Sequence, residues 1–137
     1  MSKLKLYLSS PFYDWGNELL TELRNLFEVH NPIENSRQGS QSEYTSDDIN
    51  ACTKSDIILA FQPDREPCLS VAVEATIGYC NGATVIYVDE RGKIDPFMVA
   101  ISKRAFSKLS EAINFLRKLS VDPQKSGVFV KSGNNLE

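Results

Sequence analysis

The sequence predicts an α/β domain in which a mostly parallel sheet is covered by helices on both faces. Short apolar segments typical of strands alternate with segments whose apolar residues recur at helical spacing. Two strand segments, "DIILAF" (residues 56–61) and "ATVIYV" (residues 83–88), are apolar on both faces, as buried parallel strands are. The 137 residues suffice for one hydrophobic core and little more.

The chain begins with a predicted strand and helix. Residues 3–8, "KLKLYL", carry apolar side chains at alternate positions, which predicts a strand that ends at Ser9-Ser10-Pro11. A helix is predicted over residues 13–29 because one apolar stripe runs through them. The stripe comprises Trp15, Leu19, Leu20, Leu23, Leu26 and Phe27.

A long polar segment follows. Residues 31–46 are rich in serine and interrupted by proline and glycine, which predicts a loop, and long loops on small domains are often functional. Thr45 and Asp48 have the spacing of a capping box, which predicts a short helix over residues 47–55.

The second half continues the alternation of strands and helices. A helix is predicted over residues 69–80 with Asn81-Gly82 as its C-cap, a further helix over residues 95–103, and a last amphipathic helix from Ser107. Residues 1–120 are predicted to form the domain and residues 121–137 a loosely held tail. The predicted architecture is a small Rossmann- or flavodoxin-like three-layer sandwich.

The composition favours a small-molecule ligand over a polymer. The chain has 15 basic and 18 acidic residues and no basic stripe, which argues against a nucleic-acid polymer as partner. Its three cysteines form no C-x-x-C pair and only His30 could join them, so no metal site is expected. An odd number of thiols fits a reducing cytoplasm. Since no signal-peptide core and no apolar run of about 20 residues is present, we expect a cytoplasmic protein without a membrane segment.

The carboxyl ends of the predicted strands are the expected ligand site, as in other parallel α/β sheets. Four segments should meet there: residues 9–12, the segment leading to Asp48, residues 62–70 and residues 89–98. No G-x-G-x-x-G motif or P-loop follows the first strand, and a single histidine argues against a Ser-His-Asp enzyme. What remains is the chemistry of carboxylates, phenols and hydroxyls, without a cofactor.

Glu74 is the one charged residue in the apolar segment "CLSVAVEATIGYCNGATVIYV". A buried charge costs free energy, and the positive start of the predicted helix favours the ionised carboxyl. We expect Val73, Ile77 and Cys80 to pack on the sheet and Gly78 to leave room for a ligand beside Glu74. The alternative is a glutamate at the solvated edge of the core stripe.

Other polar residues on this edge have plain structural interpretations as well. Asp48 could cap its helix, Tyr7 could be a core residue of the first strand, and Ser70 could be the N-cap of the following helix. Alternatively, Ser70 could donate to a phosphate or sugar together with Ser9 and Ser10. Their shared position at strand ends and helix starts favours a site.

Four segments of the chain resemble those of one protein family in order and spacing. The first strand continues as "LYLSSPF", and Asp48 precedes Asp56 by eight positions in "DINACTKSDIILAF". "EPCLSVAVEATIGYC" then leads into "ATVIYV", and "FMVAISKRAFSKLSEAINFL" follows. Over residues 3–116 the chain resembles the nucleoside 2-deoxyribosyltransferases and the related 2'-deoxynucleoside 5'-monophosphate N-glycosidases.

The resemblance implies roles for three residues. Glu74 matches the nucleophile, which attacks C1' of a 2-deoxyribosyl group, expels the base and holds the sugar as an ester. Tyr7 matches a tyrosine that contacts the nucleophile and the sugar. Asp48 matches an aspartate that passes a proton to the departing ring nitrogen. The resemblance also implies a homo-oligomer, a dimer or higher, that binds a nucleoside or nucleotide.

The chain departs from the family pattern around the 5' end of the sugar. Cys68 stands where the transferases have an aspartate for the 5'-hydroxyl, and the monophosphate hydrolases also lack this aspartate. The leading interpretation is a nucleoside 2-deoxyribosyltransferase. The alternatives are a 2'-deoxynucleoside 5'-monophosphate N-hydrolase and a non-catalytic nucleotide-binding module. The predicted substrate-binding residues are Ser9, Ser10, Phe12, Gln38, Cys68, Ser70 and Met98.

Overall fold

A computed structural model of the chain describes residues 3–122 and contains a five-stranded sheet in which all strand pairs are parallel. The strands are β1 (Lys5–Ser9), β2 (Glu28–His30), β3 (Ile57–Gln62), β4 (Thr84–Asp89) and β5 (Ser102–Phe106). The helices are α1 (Asn17–Leu26), α2 (Pro32–Asn35), α3 (Gln41–Lys54), α4 (Leu69–Cys80), α5 (Pro96–Ile101) and α6 (Leu109–Val121). The order β2-β1-β3-β4-β5 is that of flavodoxin-like folds, so the predicted α/β sandwich is confirmed.

Alternating side chains of the strands divide the core into two clusters, one on each face of the sheet. Leu6 and Leu8 of β1 pack with Leu23 of α1 and Leu116 of α6. Tyr7 lies between them and belongs to the cluster on the opposite face. That cluster also contains residues of three other helices, among them Cys52, Val71, Ala75 and Met98. The sheet is therefore the middle of three layers, and all six residues of its central strand β3 are buried.

The sequence does not predict the two edge strands. The helix expected over residues 13–29 ends at Leu26 in the structure, and Phe27 reaches the core from an extended backbone. Glu28–His30 then pairs with β1 as β2. β5 begins at Ser102, within the helix expected over residues 95–103, and its three central residues are exposed. Backbone hydrogen bonds to one neighbouring strand stabilise such an edge strand, so its side chains carry little apolar pattern.

The polar segment is more regular than predicted. α2 lies within residues 31–46, and α3 begins at Gln41 with Ser40 as its N-cap. The Ser40 hydroxyl accepts a hydrogen bond from the backbone N–H of Glu43, so the capping spacing that matters is Ser40-x-x-Glu43. The predicted start at Thr45 is wrong. Asp48 lies inside α3, which leaves its carboxylate available for other contacts.

α4 has the predicted bounds and the predicted end. It covers Leu69–Cys80, and Asn81 is followed by Gly82, whose φ of 91° is left-handed. The N-cap position is Cys68, not Ser70, and its side chain makes no capping hydrogen bond.

The buried face of α4 differs from the predicted one. Val73 is 54% exposed and Cys80 is exposed, so the expectation that they pack on the sheet is wrong, whereas Ile77 packs against the core as expected. A Cβ added at Gly78 would lie 2.4 Å from Ile58 Cγ1, so Ile58 occupies the space that was expected for a ligand. The glycine instead lets α4 approach β3 closely. The buried residues of the helix are Val71, Glu74, Ala75 and Gly78.

The predicted boundary between domain and tail falls at the end of the described chain. α6 ends at Val121, one residue beyond the predicted domain end at residue 120. The rest of the predicted tail, residues 123–137, lies outside the described residues.

We expect Gly78→Ala to lower the free energy of unfolding by about 1–3 kcal/mol, the usual cost of overpacking. This cost outweighs the preference of a helix for alanine over glycine, about 1 kcal/mol. Urea denaturation measures the change. In an Ile58→Ala background the nearest remaining contact is Ala83 Cβ at 3.4 Å, so Gly78→Ala should be neutral or stabilising there. An equal loss in both backgrounds would contradict the close packing of α4 on β3.

Candidate active site

Glu74 projects from α4 toward β1, and both of its carboxylate oxygens accept hydrogen bonds. The Tyr7 hydroxyl donates to Oε2 at 2.7 Å, and the Ser9 hydroxyl donates to Oε1 at 2.6 Å. Tyr7 and Ser9 occupy alternate positions of β1, so both side chains point to the face that α4 covers. The side chain of Glu74 is thereby held in one orientation, and the residue is 9% exposed.

No cation neutralises Glu74 within residues 3–122, where the ion pairs involve other carboxylates. Burial raises the pKa of Glu74, the hydrogen bonds from Ser9 and Tyr7 oppose the increase, and the charge of Asp48 adds to it. A buried carboxylate that lacks a counter-ion costs stability. Perturbed carboxyl groups of this kind are characteristic of functional sites.

Tyr7 is fully buried, and its phenol stays protonated. Burial raises the pKa of Tyr7 far above its ordinary value, and the charge of Glu74 raises it further. Its ring stacks on His30, its pairing partner in β2, with centroids 5.3 Å apart and planes 8° from parallel. Tyr7 is thus a fixed hydrogen-bond donor.

Asp48 is the second carboxylate of the site and is half-buried. Its Oδ1 accepts a hydrogen bond from the Ser36 hydroxyl, which lies 2.9 Å from His30 Nε2. Burial raises the pKa of Asp48, whereas Ser36 and His30 lower it. The charge of Asp48 in turn raises the pKa of Glu74, so an ionised Asp48 disfavours the ionisation of Glu74.

A cavity of about 310 Å³ lies beside Asp48 at the carboxyl end of β1. Three predicted substrate-binding residues line it: Ser10, Phe12 and Gln38. The Phe12 ring is 77% exposed at its rim, and the Gln38 amide nitrogen donates to the carbonyl oxygens of Pro32 and Ser36. Trp15 and Tyr44 add further aromatic surface. Walls of this composition suit a flat ring that stacks on aromatic faces and forms hydrogen bonds along its edge.

The other four predicted substrate-binding residues lie outside the lining of this cavity. Ser9 donates to Glu74. Cys68 and Ser70 lie at the start of α4, with Sγ and Oγ 2.9 Å apart. Met98 is buried in the apolar cluster on the α4 side of the sheet. Their roles in substrate binding stay predictions.

The sequence pattern does not predict two residues of the site, His30 and Ser36. A lone histidine without cysteines at metal-ligand spacing carries no clear signal, and Ser36 lies in a segment that the pattern predicts as a loop. The available signal was the position of His30 at the end of a strand, and the missed β2 concealed it.

The described part of the chain contains neither a candidate metal site nor a candidate membrane span. Within residues 3–122, no group of three or more histidine, cysteine, aspartate or glutamate side chains is placed to hold a metal ion. Over the same residues, no helix has the length and apolar character needed to cross a bilayer.

Comparisons with known proteins support the fold. No model of a protein family matches the chain, and no curated protein sequence matches it. A solved structure of a conserved protein from Enterococcus faecalis V583 is 17% identical, with a TM-score of 0.64 over 85% of this chain and 99% of its own. A 2-deoxyribosyltransferase from the psychrotolerant bacterium Bacillus psychrosaccharolyticus is 25% identical, with a TM-score of 0.61 over 80% of this chain and 90% of its own. The chain therefore shares its α/β fold with a 2-deoxyribosyltransferase.

Glu74→Gln is expected to raise the free energy of unfolding at neutral pH, because an amide needs no ionisation in this buried position. A carboxyl whose pKa is raised by folding contributes stability that is present below its ordinary pKa of 4.5 and is lost as the pH rises through the folded value. The advantage of the variant should therefore shrink as the pH is lowered toward about 4. Urea denaturation across this pH range measures it, with the exposed Glu111→Gln as the matched control. A variant less stable than the wild type at neutral pH would mean that the two hydroxyl hydrogen bonds outweigh the cost of burial.

Proposed function

We propose that the chain is a nucleoside 2-deoxyribosyltransferase-like enzyme, which cleaves the N-glycosidic bond of a 2'-deoxynucleoside and passes the sugar to another base. One observation carries the proposal: the Glu74 carboxylate is buried, is oriented by hydrogen bonds from Tyr7 and Ser9, and is influenced by the charge of Asp48. The fold shared with a 2-deoxyribosyltransferase at 25% identity supports it.

In the first step, a Glu74 oxygen attacks C1' of the sugar and the C1'–N bond breaks. The electron pair of that bond goes to the base nitrogen, which takes a proton from the Asp48 carboxyl group. The products are a sugar ester on Glu74, a free base and an ionised Asp48. Each Glu74 oxygen accepts one hydrogen bond and retains a lone pair for the attack.

In the second step, a nitrogen of another base attacks C1' and the ester bond breaks. The electron pair returns to Glu74, and Asp48 takes the proton that the incoming base releases. Both carboxyls end in their starting states, so the sum is the exchange of one base for another. The adjacent anion stabilises the positive character that C1' develops in both steps.

The hydrogen bonds support this division of roles between the two carboxyls. Burial raises the pKa of both, but Glu74 has two hydroxyl donors and Asp48 has one. Because two nearby negative charges repel each other, one shared proton relieves the pair. In the proposed mechanism Glu74 is the anion, and Asp48 holds the proton and acts as the acid.

Hydrolysis of 2'-deoxynucleoside 5'-monophosphates is the second candidate function, favoured by the start of α4. Its first turn contains no acidic residue, and Cys68 and Ser70 present a thiol and a hydroxyl there. In the preceding loop, the Arg65 guanidinium donates to the Phe12 carbonyl at 2.6 Å, which brings a cation to the rim of the cavity. A helix start and a guanidinium both favour a phosphate.

The proposed steps use carboxyl and hydroxyl groups only, without a metal or cofactor. The substrate is a nucleoside or nucleotide. The homo-oligomeric state and the cytoplasmic location stay predictions.

We expect Glu74→Ala to reduce kcat by at least about 1,000-fold, because it removes the nucleophile. Tyr7→Phe should reduce kcat about 10- to 100-fold, which matches the loss of one hydrogen bond to a charged group. Base release from 2'-deoxynucleosides, followed by chromatography, measures both, and Glu111→Ala is the surface control. Mass spectrometry of rapidly quenched enzyme should find a sugar ester on the peptide that contains Glu74. Equal turnover by Glu74→Ala and the wild type would rule out this nucleophile, whereas a wild type without any turnover would favour the non-catalytic module.

Substrate tests separate transfer from hydrolysis. With deoxyinosine and adenine, a transferase forms deoxyadenosine, whereas a hydrolase of the second kind releases free base from a deoxynucleoside monophosphate. We expect base exchange to dominate. Arg65→Ala should leave exchange unchanged and should weaken only an activity that needs the 5'-phosphate. Free base from monophosphates, lost in Arg65→Ala, would overturn the transferase in favour of the hydrolase.

A further inference from the structure

A chain of hydrogen bonds links His30 to Asp48 through Ser36. His30 Nε2 lies 2.9 Å from the Ser36 hydroxyl oxygen, and that hydroxyl donates to Asp48 Oδ1. Ser36 is buried, and its backbone N–H is bonded to the Pro32 carbonyl at 3.1 Å. The stacking of His30 on Tyr7 fixes the imidazole from the other side. Contacts outside this series of hydrogen bonds, with the Pro32 carbonyl and the Tyr7 ring, therefore align the three groups.

Asp48 and His30, the two ends of this series of hydrogen bonds, face different cavities. Asp48 lines the 310 Å³ cavity of the candidate active site, whereas His30 lines a second groove of about 530 Å³. Ser36 lies in the lining of neither. The hydrogen-bonded chain thus crosses the buried wall between the groove and the active-site cavity.

The proposed chemistry needs a path by which a proton can reach Asp48 after the substrate has bound. A base that fills the cavity separates Asp48 from solvent on that side, yet Asp48 must carry a proton when the C1'–N bond breaks. A deoxynucleoside can bind while Asp48 is ionised, and the complex is then unreactive until a proton reaches it. The groove behind His30 shares no lining residue with that cavity.

We propose that His30 and Ser36 conduct protons between the groove and Asp48 while a substrate occupies the active-site cavity. This inference rests on the proposed function. A proton from groove water joins His30 Nδ1, the Nε2 proton passes to the Ser36 oxygen, and the Ser36 hydroxyl proton passes to Asp48. His30 ends neutral with its proton on Nδ1, and passage in the opposite direction restores the starting state. His30 and Ser36 are positioning and proton-transfer residues, and neither contacts the sugar.

The charged surroundings of His30 are mixed. Lys5 of β1, Glu28 of β2, and Asp47 and Lys54 of α3 line the same groove. Burial lowers the pKa of His30, and Asp48 and Asp47 oppose the decrease. A neutral imidazole has one N–H and one free nitrogen, which is what a carrier of single protons needs.

When Asp48 is ionised, the hydrogen bonds determine the tautomer of His30. The single hydroxyl proton of Ser36 is then donated to Asp48. The Ser36 oxygen must then accept from His30, which places the imidazole proton on Nε2. Because the chain has a single histidine, its imidazole resonances in a ¹H–¹⁵N spectrum need no assignment. At a pH where Asp48 is ionised, we expect the Nε2–H tautomer in the wild type and the loss of this preference in Ser36→Ala. An Nδ1–H tautomer of the wild type at that pH would overturn the inference without any measurement of activity.

Kinetics with a deoxynucleoside and an acceptor base test the proton path itself. His30→Phe keeps a ring on Tyr7 and removes both nitrogens, and Ser36→Ala breaks the path at its middle. At a pH where Asp48 of the free enzyme is ionised, both should lower kcat about 10-fold or more, less than the full effect of a general acid, with little change in KM. Lys54→Gln, which lines the groove outside the path, is the control and should keep the wild-type kcat.

Rescue by imidazole separates proton transfer from a structural role. His30→Ala opens a space next to the groove, so added imidazole should restore part of kcat in this variant and none in Ser36→Ala. Full kcat in Ser36→Ala, or equal rescue of both variants, would overturn the proton path. The proposed function would stand in that case, because the wild type is active. A wild type that turns over no deoxynucleoside or monophosphate would instead overturn the proposed function, and the proton path with it.

Discussion

A carboxylate buried between two hydroxyl groups, with no counter-ion among residues 3–122, is the interaction on which the candidate site depends. Removing the Glu74 charge from water is costly, and two hydrogen bonds from neutral donors recover only part of that cost. The pleat of β1 makes both hydrogen bonds possible. Tyr7 and Ser9 face α4, while Leu6 and Leu8 face the other cluster and anchor the strand. β1 thus packs into the apolar core with the side chains of one face and donates hydrogen bonds to Glu74 from the other face.

The approach of α4 to the sheet is the second constraint. At Gly78 the helix backbone comes so close to Ile58 that no side chain fits between them. Ala75 on the same face is also small and fully buried. Small residues one turn apart bring the helix down onto the strands, and Glu74 reaches β1 as a result. The burial of the carboxylate is therefore set by the packing of its neighbours.

Because β2 lies next to β1, their side chains link the Glu74 and Asp48 carboxyl groups through hydrogen bonds and a ring contact. Because Tyr7 and His30 are pairing partners, the imidazole stacks on the phenol that binds Glu74 and also reaches toward Ser36 and Asp48. Residues of β1, of β2 and of the segments that follow β2 thus lie close together at the carboxyl end of β1. Burial raises the pKa of both carboxyls, and their hydrogen-bond donors differ: two hydroxyl groups for Glu74 and one for Asp48.

The sequence by itself determined the features that have a local cause. Apolar runs specified β3 and β4, and Asn81-Gly82 specified the end of α4, while four segments pointed to Glu74, Tyr7 and Asp48. Tertiary structure alone decided the two edge strands, the buried face of α4, and the contacts of His30 and Ser36. Edge strands are held by backbone pairing, which leaves little trace in the side chains. α4 carries apolar residues on nearly all sides, so periodicity could not select the face that meets the sheet. Contacts among β1, β2, α3 and α4 join residues far apart in the chain, and only the packing of those elements determines which of them meet.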